Sequence, residues 1–199
     1  MKSGALMFKR PFAGELKERP KMIEIKFLGK GGQGVVVASE LLAQACFEKG
    51  MYAQCFSLFG GERRGAPVAS FVRIDHQKIY LKCDIDHPNH FILFDETLFN
   101  EKEILEQIKP GGTLLLNMKG SYRADALKKY RVGKIDAFEI SKKNGLESVV
   151  NTAILGAYVR LTKIISLGTL LKVIKGNVPA AIDQNLMAAK EAHERLSLV

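Results

Sequence analysis

One hexapeptide narrows the possible folds of this chain more than any other feature. Gly29-Lys30-Gly31-Gly32-Gln33-Gly34 stands between an apolar, strand-like run and a helix-like run. The spacing fits G-x-G-x-x-G at the first strand-to-helix turn of a Rossmann-like unit. There, glycine permits positive φ, lets a pyrophosphate approach the backbone and lets the helix pack closely on the sheet. The helix that follows offers free N–H groups and partial positive charge to an anion. The segment is not a P-loop, because Lys30 is followed by two glycines and no Ser or Thr is placed to hold Mg²⁺. A dinucleotide site also calls for an acid at the end of the second strand. Gln54, Cys55, Phe56 and Ser57 stand there instead, and Arg63 and Arg64, suited to a 2′-phosphate, follow on a longer loop. A tight turn that binds nothing has the same pattern, so both readings stand at this level.

The flanking pattern predicts a single α/β domain over 22–199. Strands are expected at Met22–Leu28, Tyr52–Phe56, His90–Phe94, Thr113–Met118 and near Lys134–Phe138. A hairpin is expected from Val68–Ile74 and Lys78–Cys83 around the polar turn Asp75-His76-Gln77. Helices are expected at Val35–Lys49, closed by Gly50 as a left-handed cap, and at Leu98–Ile108, stopped by Pro110-Gly111-Gly112. Three more follow at about 146–166, 167–174 and 179–196. The fold class is therefore α/β: a Rossmann-like domain with a mostly parallel sheet, a β-hairpin insertion and C-terminal helices.

Composition sets the remaining bounds. The 199 residues suit one domain, and 47% hydrophobic with 26% charged residues is ordinary for a globular protein. Mean hydropathy is near zero, and no run approaches the roughly 18 apolar residues of a membrane span. No secretory signal is evident, and a reducing cytoplasm is the expected location. Net charge is +9. Residues 1–21 carry six Lys or Arg against two Glu, punctuated by Pro11, Gly14 and Pro20, and read as a basic N-terminal arm. No zinc-finger spacing, aromatic ribonucleoprotein-type strand or helix-turn-helix supports a nucleic-acid partner.

Catalytic sets are missing. Cys46, Cys55 and Cys83 form a sparse, odd set without C-x-x-C, which argues against disulfides, iron–sulfur ligation and structural zinc. Cys83-Asp84-Ile85-Asp86-His87-Pro88-Asn89-His90 gathers potential ligands, but His87-Pro88 reads as a loop and His90 opens a strand, so their side chains should diverge and no metal site is expected. Asp95 sits at a strand end, where it should cap the next helix. Asn151–Ala157 carries small residues at 153, 156 and 157, a pattern for close packing within the core or against a subunit.

Three segments in order resemble one known family, the γ subunits of 2-oxoacid:ferredoxin oxidoreductases of the pyruvate and 2-oxoisovalerate group. They are FLGKGGQGVVVASELLAQA from Phe27, AQCFSLFGGERRGAPVASFVRI from Ala53 and NTAILGA from Asn151, with Ala181–Leu196 similar to the family's closing helix. The resemblance implies a subunit, not catalytic alone, of an enzyme that converts a 2-oxoacid and coenzyme A to acyl-CoA, CO₂ and reduced ferredoxin. It implies α, β and ferredoxin-like δ subunits as partners and ferredoxin as acceptor through the complex. Thiamine diphosphate, Mg²⁺ and [4Fe–4S] clusters would reside on those other chains. Carried over position by position, Gly29, Gly31, Gly32, Gln33 and Gly34 would form the phosphate-approach loop. Glu62, Arg63 and Arg64 would face partners or coenzyme A, a guanidinium fork being matched to phosphate oxygens. The resemblance favours pyruvate or a branched-chain substrate. Family members often read F-G-P-E-R where this chain has Phe59-Gly60-Gly61-Glu62-Arg63, and Gly61 relaxes a turn that proline would fix. A stand-alone NAD(P)-binding oxidoreductase or nucleotide-binding protein is the alternative reading of the glycine turn.

Overall fold

The computed structural model describes residues 22–59, 65–120 and 125–199. The basic arm of residues 1–21, and Glu62, Arg63 and Arg64, lie outside the described residues. β1 (Ile23–Lys30) alternates, so Ile25 and Phe27 point into one core while Glu24 and Lys26 take the opposite face. α1 (Val35–Phe47) lays Ala38, Leu41, Leu42 and Ala45 on that core. It ends as expected from its glycine: Gly50 has φ 79°, and the Gly50 and Met51 amides turn back to the carbonyls of Phe47 and Cys46.

The chain then adds β2 (Tyr52–Phe59), β3 (Pro67–Asp75), β4 (His90–Leu93), α2 (Glu101–Gln107), β5 (Thr113–Asn117), β6 (Arg131–Ile135), α3 (Ala137–Lys143), α4 (Asn151–Thr162), α5 (Leu167–Asn177), α6 (Ile182–Arg195) and a two-residue β7 (Ser197–Leu198). All seven strands form one sheet in the order β2-β3-β1-β4-β5-β6-β7. β1, β4, β5 and β6 pair in parallel, while β3 is antiparallel to both of its neighbours and β7 to β6. The α/β class with a mostly parallel sheet and C-terminal helices is thus the observed one. All five residues of β5 are buried, as for a strand covered on both faces. One core joins α1, α3, α4, α5 and α6 to the sheet; a smaller one packs α2 on Phe91, Leu93, Leu114 and Leu116.

Three local readings need correction. Lys78–Cys83 forms no strand, since both edges of β3 are already taken, by β1 and by β2. The antiparallel pair next to the loop is β2–β3, and the Asp75-His76-Gln77 turn leads off the sheet instead of back along it. The strand placed near Lys134–Phe138 divides at Asp136, whose carboxylate accepts the Glu139 amide at 2.9 Å and opens α3. The long helix expected from Leu146 begins at Asn151 and ends at Thr162, where Lys163 adopts φ 57°.

The insertion of β3 beside β1 has a functional meaning. In a dinucleotide-binding fold the neighbour of β1 on that side is the parallel strand that carries the ribose-binding acid. Here that place belongs to an antiparallel strand, and β2 lies one position further out. The missing acid of the sequence therefore corresponds to a missing strand position. Small residues on α4 serve the core: α6 lies so close to Gly156 that a Cβ there would overlap the Ala189 carbonyl.

Candidate ligand cleft at the glycine turn

β1 runs on through Gly29 and Lys30, so the turn proper is Gly31–Gly34. Gly29 belongs to the sheet: a Cβ on it would come within 2.6 Å of both Phe94 Cβ and Val35 Cγ2. Its bareness lets β1, β4 and α1 approach one another. Gly34 has φ 79°, which disfavours a side chain, and Asn151 occupies the space a Cβ would need.

Gln33 is turned inward and is buried. Its Nε2 donates to Asp95 Oδ2 at 2.6 Å, and its Oε1 accepts the Lys30 amide at 2.8 Å. The side chain thus ties the turn to the carboxyl end of β4. Asp95 also accepts the Thr97 amide and hydroxyl, capping the helical turn after it as expected, and meets Lys30 Nζ at 3.4 Å. Burial pushes the Asp95 carboxyl up, but the hydrogen bonds from Thr97 and Gln33 and the Lys30 charge outweigh it and leave the pKa below the ordinary value. Because the folded pKa is depressed, this contribution to stability is present above the unfolded value of about 3.9 and is lost as pH falls through the folded one. The Tm gap between wild type and Asp95→Asn should accordingly be constant from neutral pH to about 5 and narrow below about 4. A gap that widens with acid would refute the network.

The outer side of the turn faces a cleft of about 590 Å³. Gly31, Gly32 and the first turn of α1 form one wall; Val149, Val178 and Ala181 are among the residues of the other, and most of the lining is apolar. The α1 N-terminus has no side-chain cap and no acidic residue in its first turn. Its leading amides border the cleft without a hydrogen-bond partner among the described residues. Two backbone bonds, Gly31 N to Ala66 O at 3.0 Å and Gly65 N to Gly31 O at 3.4 Å, hold the chain that follows Arg63 and Arg64 against this turn.

The far wall could not be placed from the sequence. Asn185 Nδ2 donates to the carbonyls of Ala180 and Ala181, fixing the bend before α6, and its Oδ1 accepts from Thr152 of α4. Asn151 and Asn185 are buried polar residues at helix beginnings, and that polarity within N-T-A-I-L-G-A and A-I-D-Q-N was the available signal. The residues from Cys83 to His90 do not converge: His87 Nδ1 reaches the Gln107 carbonyl, and His90 Nδ1 reaches the Tyr158 hydroxyl at 2.7 Å. Burial lowers the His90 pKa to about 4, so that ring is neutral at physiological pH. Among the described residues no three His, Cys, Asp or Glu side chains are grouped to hold a metal, and no helix is long and apolar enough to cross a membrane.

A one-domain α/β fold with a glycine turn, an inserted antiparallel strand and a Gly65-Ala66 segment hydrogen-bonded to that turn defines a class. The chain belongs to the pyruvate ferredoxin/flavodoxin oxidoreductase family, whose model matches residues 24–195. Within that family it is similar to γ-type subunits. It is 40% identical over 176 residues to the pyruvate synthase subunit PorC of Methanothermobacter marburgensis, covering 88% of this chain and 98% of that one. It is 37% identical to the common γ subunit of the pyruvate/ketoisovalerate oxidoreductases of Thermococcus kodakarensis, covering 87% and 97%. The crystal structure of the pyruvate oxidoreductase subunit PORC from Thermotoga maritima superposes with a TM-score of 0.77 at 32% identity, covering 89% of this chain and 98% of that one.

Proposed function

We propose that this chain is the γ subunit of a multi-subunit 2-oxoacid:ferredoxin oxidoreductase acting on pyruvate or a branched-chain 2-oxoacid, and that its cleft contributes the coenzyme A side of the assembled site. The observation that carries the reading is the apolar cleft opening onto the uncapped N-terminus of α1. Free amides and the helix dipole suit a phosphate group, and the apolar walls suit the uncharged arm of an acylated thiol carrier. The amides of Gly32, Gly34 and Val35 are the backbone groups offered. Gln33 acts indirectly, holding the turn through Asp95. Arg63 and Arg64 precede Gly65, whose amide bonds the turn, and would supply the charge complement. In this reading decarboxylation and electron transfer use thiamine diphosphate, Mg²⁺ and [4Fe–4S] clusters on α, β and ferredoxin-like δ subunits, with ferredoxin as acceptor.

Arg63→Ala combined with Arg64→Ala should raise the KM for coenzyme A in the assembled enzyme about tenfold or more while leaving the KM for the 2-oxoacid unchanged. An unchanged coenzyme A KM removes the role assigned to these arginines. Anaerobic pull-down of the tagged chain tests assembly separately: co-purified chains with a thiamine motif and ferredoxin-type cysteine spacing support the subunit reading. Recovery of the chain alone, together with tight NAD(P) binding, would favour the stand-alone oxidoreductase.

A further inference from the structure

At the other end of β1, some six residues or about 20 Å from the glycine turn, a second cavity opens on the sheet face opposite α1. Its volume is about 260 Å³, and Gln54, Phe56, Arg73, Lys82, Cys83 and Asp84 line it. Arg73 is completely buried. Its Nε donates to Glu24 Oε1 at 3.1 Å, and its Nη2 donates to the carbonyls of Cys83 at 2.7 Å and Asp84 at 3.1 Å. Its Nη1 has no partner among the described residues. Gln54 faces Arg73 across the β2–β3 pair, and its buried Oε1 also lacks a partner. A native core satisfies nearly all such atoms, so two complementary orphans on facing positions of one cavity call for an explanation. Charge adds to it. Arg73 and Lys109 both rest on the single Glu24 carboxylate, the latter at 2.8 Å, so the cluster holds two cations for one anion.

We infer that this cavity is a ligand site, separate from the glycine-turn cleft, for a small molecule that carries a carboxylate beside a hydrogen-bond donor, the arrangement of a 2-amino or 2-hydroxy acid. The carboxylate takes the free Arg73 N–H with Lys82 nearby, and the neighbouring ammonium or hydroxyl donates to Gln54 Oε1, with the Asp84 carboxylate on the same wall. Phe56, whose ring centre lies 5.5 Å from the Arg73 guanidinium carbon, offers the apolar surface for a short side chain. The cavity falls just below the roughly 300–1,000 Å³ range of drug-sized pockets, which limits the ligand to a small one.

Cys83 supplies a local readout, because it is an exposed residue that lines this cavity with its sulfur 3.6 Å from Arg73 Nη2, while exposed Cys55 alternates to the opposite face and Cys46 is buried. Alkylation of the full-length chain by iodoacetamide, followed by mass spectrometry, should show Cys83 saturably protected by L-alanine or L-lactate, with the Cys55 rate unmoved. Propionate, which lacks the donor, should bind about tenfold more weakly, the worth of one hydrogen bond to Gln54. Gln54→Leu, which leaves Arg73 and its structural bonds in place, should abolish the difference between lactate and propionate. Three outcomes would overturn the assignment: no protection by any of these acids, protection by inorganic phosphate equal to that by lactate, or a lactate preference that survives in Gln54→Leu.

Discussion

Gly156→Ala and Gly176→Ala, the same change on two helices of one domain, are expected to move stability in opposite directions. Removing a helical glycine ordinarily stabilises by up to about 1 kcal/mol relative to alanine, through backbone entropy. At Gly176 on α5 nothing lies within 4 Å of the added methyl group, and the ordinary gain should appear. At Gly156 the methyl group would overlap the backbone of Ala189, and backbone cannot swing aside as a flexible side chain can. α4 and α6 would have to separate, which disturbs the buried Thr152–Asn185 hydrogen bond and the wall of the cleft that Asn185 supports. A net loss of about 1–3 kcal/mol is expected for alanine, and more for valine. Urea unfolding of the three variants checks this; a stabilised Gly156→Ala protein would mean that the two helices are not in that close contact.

The second large effect is expected at Arg73. Its guanidinium has no contact with solvent, and it pins the segment after β3 by donating to the carbonyls of Cys83 and Asp84. Arg73→Met keeps much of the volume but strips those carbonyls of their donor and leaves Glu24 with Lys109 alone. Breaking a buried ion pair from one side destabilises by about 3–5 kcal/mol. The companion variant Glu24→Gln should be milder, because it still offers an oxygen to Arg73. A double-mutant cycle in urea therefore yields a coupling energy between Glu24 and Arg73 distinct from the loss due to the two carbonyls. If Arg73→Met loses less than about 1 kcal/mol, comparable to a surface change, the segment 78–85 is held by something other than this side chain.

These two residues also mark what the sequence could and could not convey. Gly156 was legible as a small residue in a helix wanting a close neighbour, though not which helix that would be. β1, the glycine turn, α1 and its Gly50 end were readable because periodicity and turn chemistry there are local and agree. β3 was placed correctly as a segment but given the wrong partner. A polar Asp-His-Gln turn favours a hairpin locally, whereas the actual pairing depends on which edges remain free once the sheet has formed. Arg73 shows the same limit. An arginine in an alternating strand reads as solvent-facing, and only the tertiary arrangement of Glu24, Cys83 and Asp84 makes a place for it inside. At the cleft the near wall was legible from its glycines. The far wall comes from residues more than a hundred positions away, and the bonds of Gln33 to Asp95 and to the Lys30 amide depend on a contact between the turn and the end of β4 that no local pattern conveys.

The placement of β3 bears on how the chain is made. Among the described residues, β1 pairs with β3 and β4, both of which follow it by more than 35 positions, and β2 pairs with β3. A nascent chain that stops before residue 67 therefore contains β1, α1 and β2 without β3, the strand with which both β1 and β2 pair. The β2–β3 hairpin is the first pairing available by short loop closure, and the β1–β3 pairing completes that side of the sheet. β2 ends at Phe59 and β3 begins at Pro67, so the first half of the domain assembles from a pairing of strands that are neighbours in the chain, and the parallel half is added to it afterwards.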